Sequence, residues 1–232
     1  MTTNTVQIDF VNAIFSLLMT GQQDNCEFQL QLKEKVNELG VTQFIGEVAT
    51  PLGVLVGEKW QENKTHIFIE HFYTSQMNQL LNDLILHNES IYQLGTPKVL
   101  LCTVMGERHA LGSSMAQALL CNQGAFCINL GSELPISEIV NAVAYYQMNV
   151  VGLSFSVVFN KRMMISIVKQ LREKLPAHIE LWIGGSGAKS LTHIANIKVL
   201  ISVDEIIEAY RHTKNSLSVS DSSLELTKRY FN

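Results

Sequence analysis

Apolar residues between positions 6 and 92 recur at three- and four-residue spacing with almost no alternating stretch, the period of helices that bury one face. Four helices fit that pattern. The first runs over about 7–19 and stops at Gly21; the second covers 27–39 and stops at Gly40, a residue type suited to closing a helix. Thr42 reads as the N-cap of a third helix that carries Pro51 in its interior, where the ring removes a hydrogen bond and should kink the helix. Gly46, Gly53 and Gly57 lie at helical spacing and strip side-chain bulk from one face, so a neighbouring helix or a ligand should pack close to it. Asn63-Lys64-Thr65 reads as a turn and cap ahead of a fourth helix that continues to about residue 87.

After a linker at 93–97 the texture changes. Short apolar runs now alternate with amphipathic segments, the pattern of βα units around a parallel sheet whose strands are buried on both faces. Strands are predicted at 98–105, 125–130, 150–154, 180–183 and 199–202, with helices at 112–122, 136–147, 160–175, 190–194 and 204–212. The predicted fold class is therefore an N-terminal four-helix bundle (6–92) followed by an α/β domain (97–214), a flavodoxin- or Rossmann-like, five-stranded, parallel, doubly wound sheet. The tail, 215–232, is polar at first and predicted to be partly disordered, with 224–231 able to form a further helical turn or two.

Composition narrows the function classes. The 232 residues are 47% hydrophobic, enough for a sizeable core, and the formal charge is −4. A mildly acidic chain has no electrostatic footprint for direct nucleic-acid binding. Its start, Met1-Thr2-Thr3-Asn4-Thr5, lacks the basic and apolar regions of a signal peptide, and no apolar run reaches the length of a membrane span, so a cytoplasmic protein with no membrane partner is expected. The four cysteines, Cys26, Cys102, Cys121 and Cys127, form no CxxC pair, and neither a disulfide nor a zinc site is expected from them.

Candidate chemistry gathers in the loops after the predicted strands, the edge where open α/β sheets bind ligands. Glu107-Arg108-His109-Ala110-Leu111-Gly112 follows the first strand and puts an imidazole on that edge. An acidic residue two positions before a histidine can hold one ring nitrogen and orient the other toward a metal; a lone strand-end histidine can equally be an ordinary hydrogen-bonded loop residue. Ser154-Phe155-Ser156 follows the third strand, and Gly184-Gly185-Ser186-Gly187 follows the fourth, where it permits either close approach of a bulky group or a tight turn. Gly106 and Gly112 are spaced too widely for a dinucleotide fingerprint. A ligand with a metal centre and a long buried tail accounts for all three loops.

Glu107-x-His109-x-x-Gly112, Ser154-x-Ser156 and Gly184-Gly185 resemble the D-x-H-x-x-G, S-x-L and GG motifs of cobalamin-binding domains of the methionine synthase type. The resemblance implies that His109 is the lower cobalt ligand in place of dimethylbenzimidazole, that Glu107, Arg108, Ala110, Leu111 and Gly112 form its loop, and that Ser154, Ser156, Gly184 and Gly185 line the channel of the displaced nucleotide tail. Two positions depart from the pattern: Glu107 stands for Asp, and Ser156 for the usual leucine.

The helical half is similar to the cap of light receptors of the CarH and LitR type, on Gly57-Glu58-Lys59-Trp60, Ile67 and Glu70-His71-Phe72, and the likeness extends to Leu130-Gly131-Ser132-Glu133-Leu134-Pro135. It implies that Trp60, Ile67, Glu70 and His71 cover the upper face of adenosylcobalamin, with methylcobalamin or hydroxocobalamin as other possible cofactor forms. Those receptors have a histidine just after the tryptophan, where this chain has Gln61, a poor cobalt ligand. They also carry a MerR-like DNA-binding domain, and about five residues precede the first helix here. The expected function is thus a stand-alone, non-enzymatic cobalamin-binding sensor that couples the upper ligand, set by light or cofactor supply, to self-association or to a transcriptional regulator. The alternative is a corrinoid shuttle that carries methyl groups for a methyltransferase system. A receiver-like domain without cofactor fits the fold but leaves Glu107 and His109 unexplained.

Overall fold

The computed structural model describes residues 3–21, 24–86, 96–191 and 194–230. The chain divides into two compact units, 1–87 and 88–232. The first contains α1 (Thr3–Thr20), α2 (Asn25–Leu39), α3 (Val41–Phe44), a π-helical turn (Ile45–Ala49), α4 (Thr50–Gln61) and α5 (Ile67–Leu86). Its core is made by the predicted periodicity: Val11, Ile14 and Leu18 of α1, Phe28, Leu32 and Val36 of α2, and Tyr73, Met77, Leu80 and Leu81 of α5 are all buried. Asp24 caps α2 by accepting from the Glu27 N–H at 2.7 Å.

The third helix departs from the sequence reading at its start. Thr42 lies inside α3 and is not its N-cap; the chain enters through Gly40, whose φ of 76° lets one residue end α2 and begin α3. Pro51 lies inside one continuous helical run, 41–61, as expected, and the distortion ahead of it is the π turn, where Thr50 N–H reaches back to the Ile45 carbonyl. Gly53 is bulk-free because Tyr73 packs there: a Cβ would lie 3.1 Å from the Tyr73 hydroxyl, which donates to the Ala49 carbonyl at 3.0 Å. Gly57 has nothing within 4 Å of its would-be Cβ.

The second unit is a five-stranded parallel sheet in the order β2-β1-β3-β4-β5, with β1 (Lys98–Cys102), β2 (Phe126–Asn129), β3 (Val150–Ser154), β4 (Glu180–Gly184) and β5 (Lys198–Val199). Helices α6 (Leu111–Asn122), α7 (Ile136–Tyr146), α8 (Lys161–Lys174) and α9 (Val203–Tyr230) connect and follow the strands. Alternate strand residues feed two cores. Val99, Leu101, Val150 and Trp182 pack with Leu120 of α6 and Ala209 and Tyr210 of α9, whereas Leu100, Cys102, Val151, Leu153, Leu181 and Ile183 pack with Ile139 and Val143 of α7 and Met164 and Val168 of α8. Burial on both faces is why the strands read as continuous apolar runs.

Two connections were misjudged from sequence. Among the described residues of 190–194 there is no α-helix; a 3₁₀ turn at Ser186–Ser190 precedes them, where Gly185 and Gly187 fold tightly against the loop after β3. The tail beyond 212 continues α9 to Tyr230. Its polar start suggests partial disorder, yet 203–230 contains no glycine or proline to stop a helix, and the start is fixed by Ser202 and Glu205 in a reciprocal cap. Of the positions covered by these expectations, 22, 23, 87–95, 192, 193, 231 and 232 lie outside the described residues. Among the described residues no helix is long and apolar enough to cross a membrane.

Candidate functional site

The strand order reverses between β1 and β3: β1 is followed by a connection toward β2 on one side, and β3 by one toward β4 on the other. Their loops diverge at the carboxyl edge and open the crevice where doubly wound sheets take ligands. Glu107 and His109 lie on the first loop, Ser156 on the second. The structure brings them together.

Glu107 is almost completely buried, at 1% exposure, and its carboxylate accepts four hydrogen bonds. Oε1 takes the His109 backbone N–H at 2.9 Å and the ring Nδ1 at 2.7 Å; Oε2 takes the Ser156 N–H at 2.8 Å and its hydroxyl at 2.7 Å. Burial pushes the Glu107 carboxyl up, but the hydrogen bonds from His109 and Ser156 outweigh it and hold the group below the ordinary carboxylate range. A carboxylate that stays ionised keeps the proton on Nδ1, and the ring's basic lone pair is then on Nε2. The His109 side chain is 49% exposed, so this ring stands at the surface of the edge on a buried anionic support.

The rest of the loop is built around that support. Ala110 ends it as the residue before α6, and its carbonyl accepts from the Ser113 hydroxyl at 2.7 Å; Leu111 and Gly112 open the helix. Arg108 points outward at 83% exposure, with Nε 3.4 Å from Glu133. Ser154 is buried at the end of β3, and a Cβ on Gly112 would collide with its hydroxyl. Gly185, at φ +87°, and Gly187 meet the backbone of Phe155 and Ser156 in the same way, while Gly184 approaches the Leu200 carbonyl. Close approach is therefore what these glycines provide, and the chain's own loops fill the space.

Ser156 has a role that its position in the sequence did not show. Where the resemblance expects leucine, its N–H and hydroxyl both anchor the carboxylate that orients His109, a partnership across 49 residues that needs the β1–β3 pairing to form. Phe155 was also missed: its backbone forms the floor under Gly185 and Gly187.

Four predicted residues belong to the helical unit. Trp60 is in the last turn of α4 and half-buried; Ile67 and His71 are exposed in the first turns of α5, and Glu70 between them is half-buried and accepts from Thr74 at 2.8 Å. A recess of about 480 Å³ in this unit is lined by Met19, Thr20, Lys64, Thr65, His66 and Phe68, among others, and not by Trp60 or Glu70.

With this geometry, the chain can be set beside known proteins. A comparison with models of protein families gives no match. The HTH-type transcriptional repressor CarH of Myxococcus xanthus is 29% identical over 161 residues, 68% of this chain and 52% of that protein. The chain thus spans about half the length of that relative. Among solved structures, the monomethylamine corrinoid protein of Methanosarcina barkeri superposes with a TM-score of 0.61 at 17% identity, over 84% of this chain and 91% of that one. The two chains share a fold. A looser likeness, TM-score 0.41 at 17% identity over 88% and 98% of the two chains, is to a cobalamin-binding protein from Desulfitobacterium hafniense.

Proposed function

We propose that this chain binds cobalamin with His109 as the lower cobalt ligand. The observation that carries the reading is a half-exposed imidazole at the switch point of the sheet, held through Nδ1 by a buried, fully hydrogen-bonded carboxylate. Among the described residues no group of three or more His, Cys, Asp or Glu side chains is placed to hold a metal ion. Cobalt inside a corrin ring arrives with most of its coordination already filled, and a single oriented imidazole suits it. The likeness in fold to the monomethylamine corrinoid protein supports the same reading.

Each residue has a stated part in this proposal. His109 holds cobalt through Nε2; Glu107 keeps the ring tautomer and orientation; Ser156 anchors Glu107; Arg108, Ala110, Leu111 and Gly112 carry the loop into α6. The resemblance assigns the nucleotide tail to the edge that carries Ser154, Gly184 and Gly185, where the loop after β3 already fills the space beside Gly185, and it assigns contact with the upper ligand to Trp60, Ile67, Glu70 and His71. When bound, cobalamin supplies a cobalt–carbon bond that light or a nucleophile can break. We assign the chain to sensing by adenosylcobalamin, with the signal passed to a second copy or to a transcriptional regulator, because the helical unit carries the Trp60 and Glu70 pattern and the chain is similar to the transcriptional repressor CarH.

Absorption spectroscopy with adenosylcobalamin and methylcobalamin, in the dark and then illuminated, tests it. Binding of the base-off, histidine-on form with preference for adenosylcobalamin is expected, and Trp60→Ala should erase the preference while corrin binding persists. Failure to bind either form ends the proposal. Equal affinity for both would favour a methyl carrier for a methyltransferase system.

A further inference from the structure

Thr103 lies one residue beyond β1, fully buried, and every one of its polar atoms is used. Its N–H donates to the Gly131 carbonyl at 2.9 Å and its carbonyl accepts from Leu134 at 3.1 Å. Its hydroxyl accepts from the Glu133 N–H at 3.0 Å and donates to the backbone carbonyl of Glu107. Three of these partners sit on the loop after β2, and the fourth is the residue whose carboxylate orients His109.

The turn between them is closed from within. Glu107 N–H donates to the Val104 carbonyl at 2.9 Å, across Gly106 at φ +86°, and Met105 N–H donates to Leu134 at 3.0 Å. Both backbone polar groups of Glu107 are thus fixed, the N–H by Val104 and the carbonyl by Thr103, before its carboxylate makes any of its four bonds. A hydroxyl with one proton and an acceptor lone pair suits this junction between a carbonyl and an N–H, whereas an isosteric methyl would leave both unpaired in a buried place.

We propose that Thr103 is a positioning residue for His109: its hydroxyl fixes the Glu107 backbone against the loop after β2, and thereby holds the carboxylate aimed at Nδ1. Its consequence for cobalt ligation rests on the function proposed above; its effect on the imidazole does not. The two are separated by testing the protein with and without cofactor. In the unloaded protein labelled with ¹⁵N-histidine, the Nδ1–H proton of His109 should give an NMR signal protected from solvent exchange by Glu107. Thr103→Ser should keep that signal and Thr103→Val should lose it to exchange. With hydroxocobalamin, Thr103→Val should weaken histidine-on binding about tenfold, the lower end of what loss of a supporting partner costs a metal site, and Thr103→Ser should restore it.

A folded Thr103→Val protein with the Nδ1–H signal intact would overturn the proposal, because a purely structural threonine would change the melting temperature and leave the imidazole proton untouched. If Thr103→Val does not fold, Thr103→Ala replaces it. Alanine and serine at this position differ by the hydroxyl alone, and equal Nδ1–H signals in those two variants would overturn the proposal equally. Failure of the unmodified protein to take up cobalamin would end the functional reading and leave the NMR result standing.

Discussion

Among the described residues two Glu/His pairs lie within 4 Å, and they are not alike. On the loop after β1, Glu107 and His109 meet at 2.7 Å, the carboxylate is buried, and its remaining acceptor positions are taken by backbone and by Ser156. On α5, Glu70 and His71 come no closer than 3.9 Å, the imidazole is 71% exposed, and Glu70 bonds Thr74 one helical turn on. The difference is one of preorganisation. A buried carboxylate with four donors cannot turn away, whereas a side chain on the open face of a helix changes rotamer at little cost. If cobalt binds at either histidine, the first is the one whose ring orientation is already fixed.

Removing the better-held imidazole is the strongest way to break that contrast. His109→Ala should abolish the histidine-on spectrum and lower cobalamin affinity by at least about a hundredfold, roughly 2.8 kcal/mol at 1.4 kcal/mol per tenfold change. Spectral titration reads both, and an unaltered spectrum would move the ligand elsewhere. Glu107→Gln should come next, at about 10–100-fold, since the amide keeps the shape but loses charge and one acceptor position. An unchanged affinity there would mean that the His109 ring does not depend on its buried partner.

Glu180, at the start of β4, sharpens the comparison as a well-bonded carboxylate with no imidazole beside it. One oxygen, Oε2, accepts from Trp182 at 2.7 Å, Lys198 at 2.7 Å and Thr213 at 3.0 Å, which ties β4, β5 and α9 together. Burial raises its pKa, but these bonds and the Lys198 charge outweigh that and hold it below the usual range. A lowered folded pKa means stabilisation that is complete above the unfolded carboxylate value, about 4.3, and is lost as pH falls through the folded one. Glu180→Gln should therefore cost about 1–3 kcal/mol at neutral pH, with the difference from the unmodified protein shrinking in acid, and should leave cobalamin affinity unchanged. Denaturant unfolding at pH 7 and pH 3 measures it; a gap that stays constant would remove the carboxylate's charge from the account. The smallest effect is expected at His71→Ala, less than about twofold on lower-face ligation, where a loss as large as that of His109→Ala would erase the distinction between the pairs.

Periodicity along the chain determined a good deal by itself. The helical half, the five strands and their parallel arrangement follow from apolar spacing of 3.6 and from runs that only a doubly covered sheet can bury, and the Glu107-x-His109 spacing was enough to single out the loop. Local chemistry that depends on a partner distant in sequence was not legible. Thr42 has the right side chain for a cap, but Gly40 made the turn through its backbone; the polar start of the tail suggested partial disorder, but with nothing to break α9 and Thr213 bound to Glu180, the helix ran on.

The same division holds at the site. Sequence alone named the imidazole and its carboxylate, because two residues separated by one can only be neighbours. That the carboxylate is buried, that Ser156 holds its second oxygen and that Phe155 fills the space beside Gly185 were decided by the parallel pairing of β1, β3 and β4, which brings loops 49 and 78 positions apart in the chain to one edge. Hydrogen bonds of that kind carry no period, and they exist only after the sheet has formed.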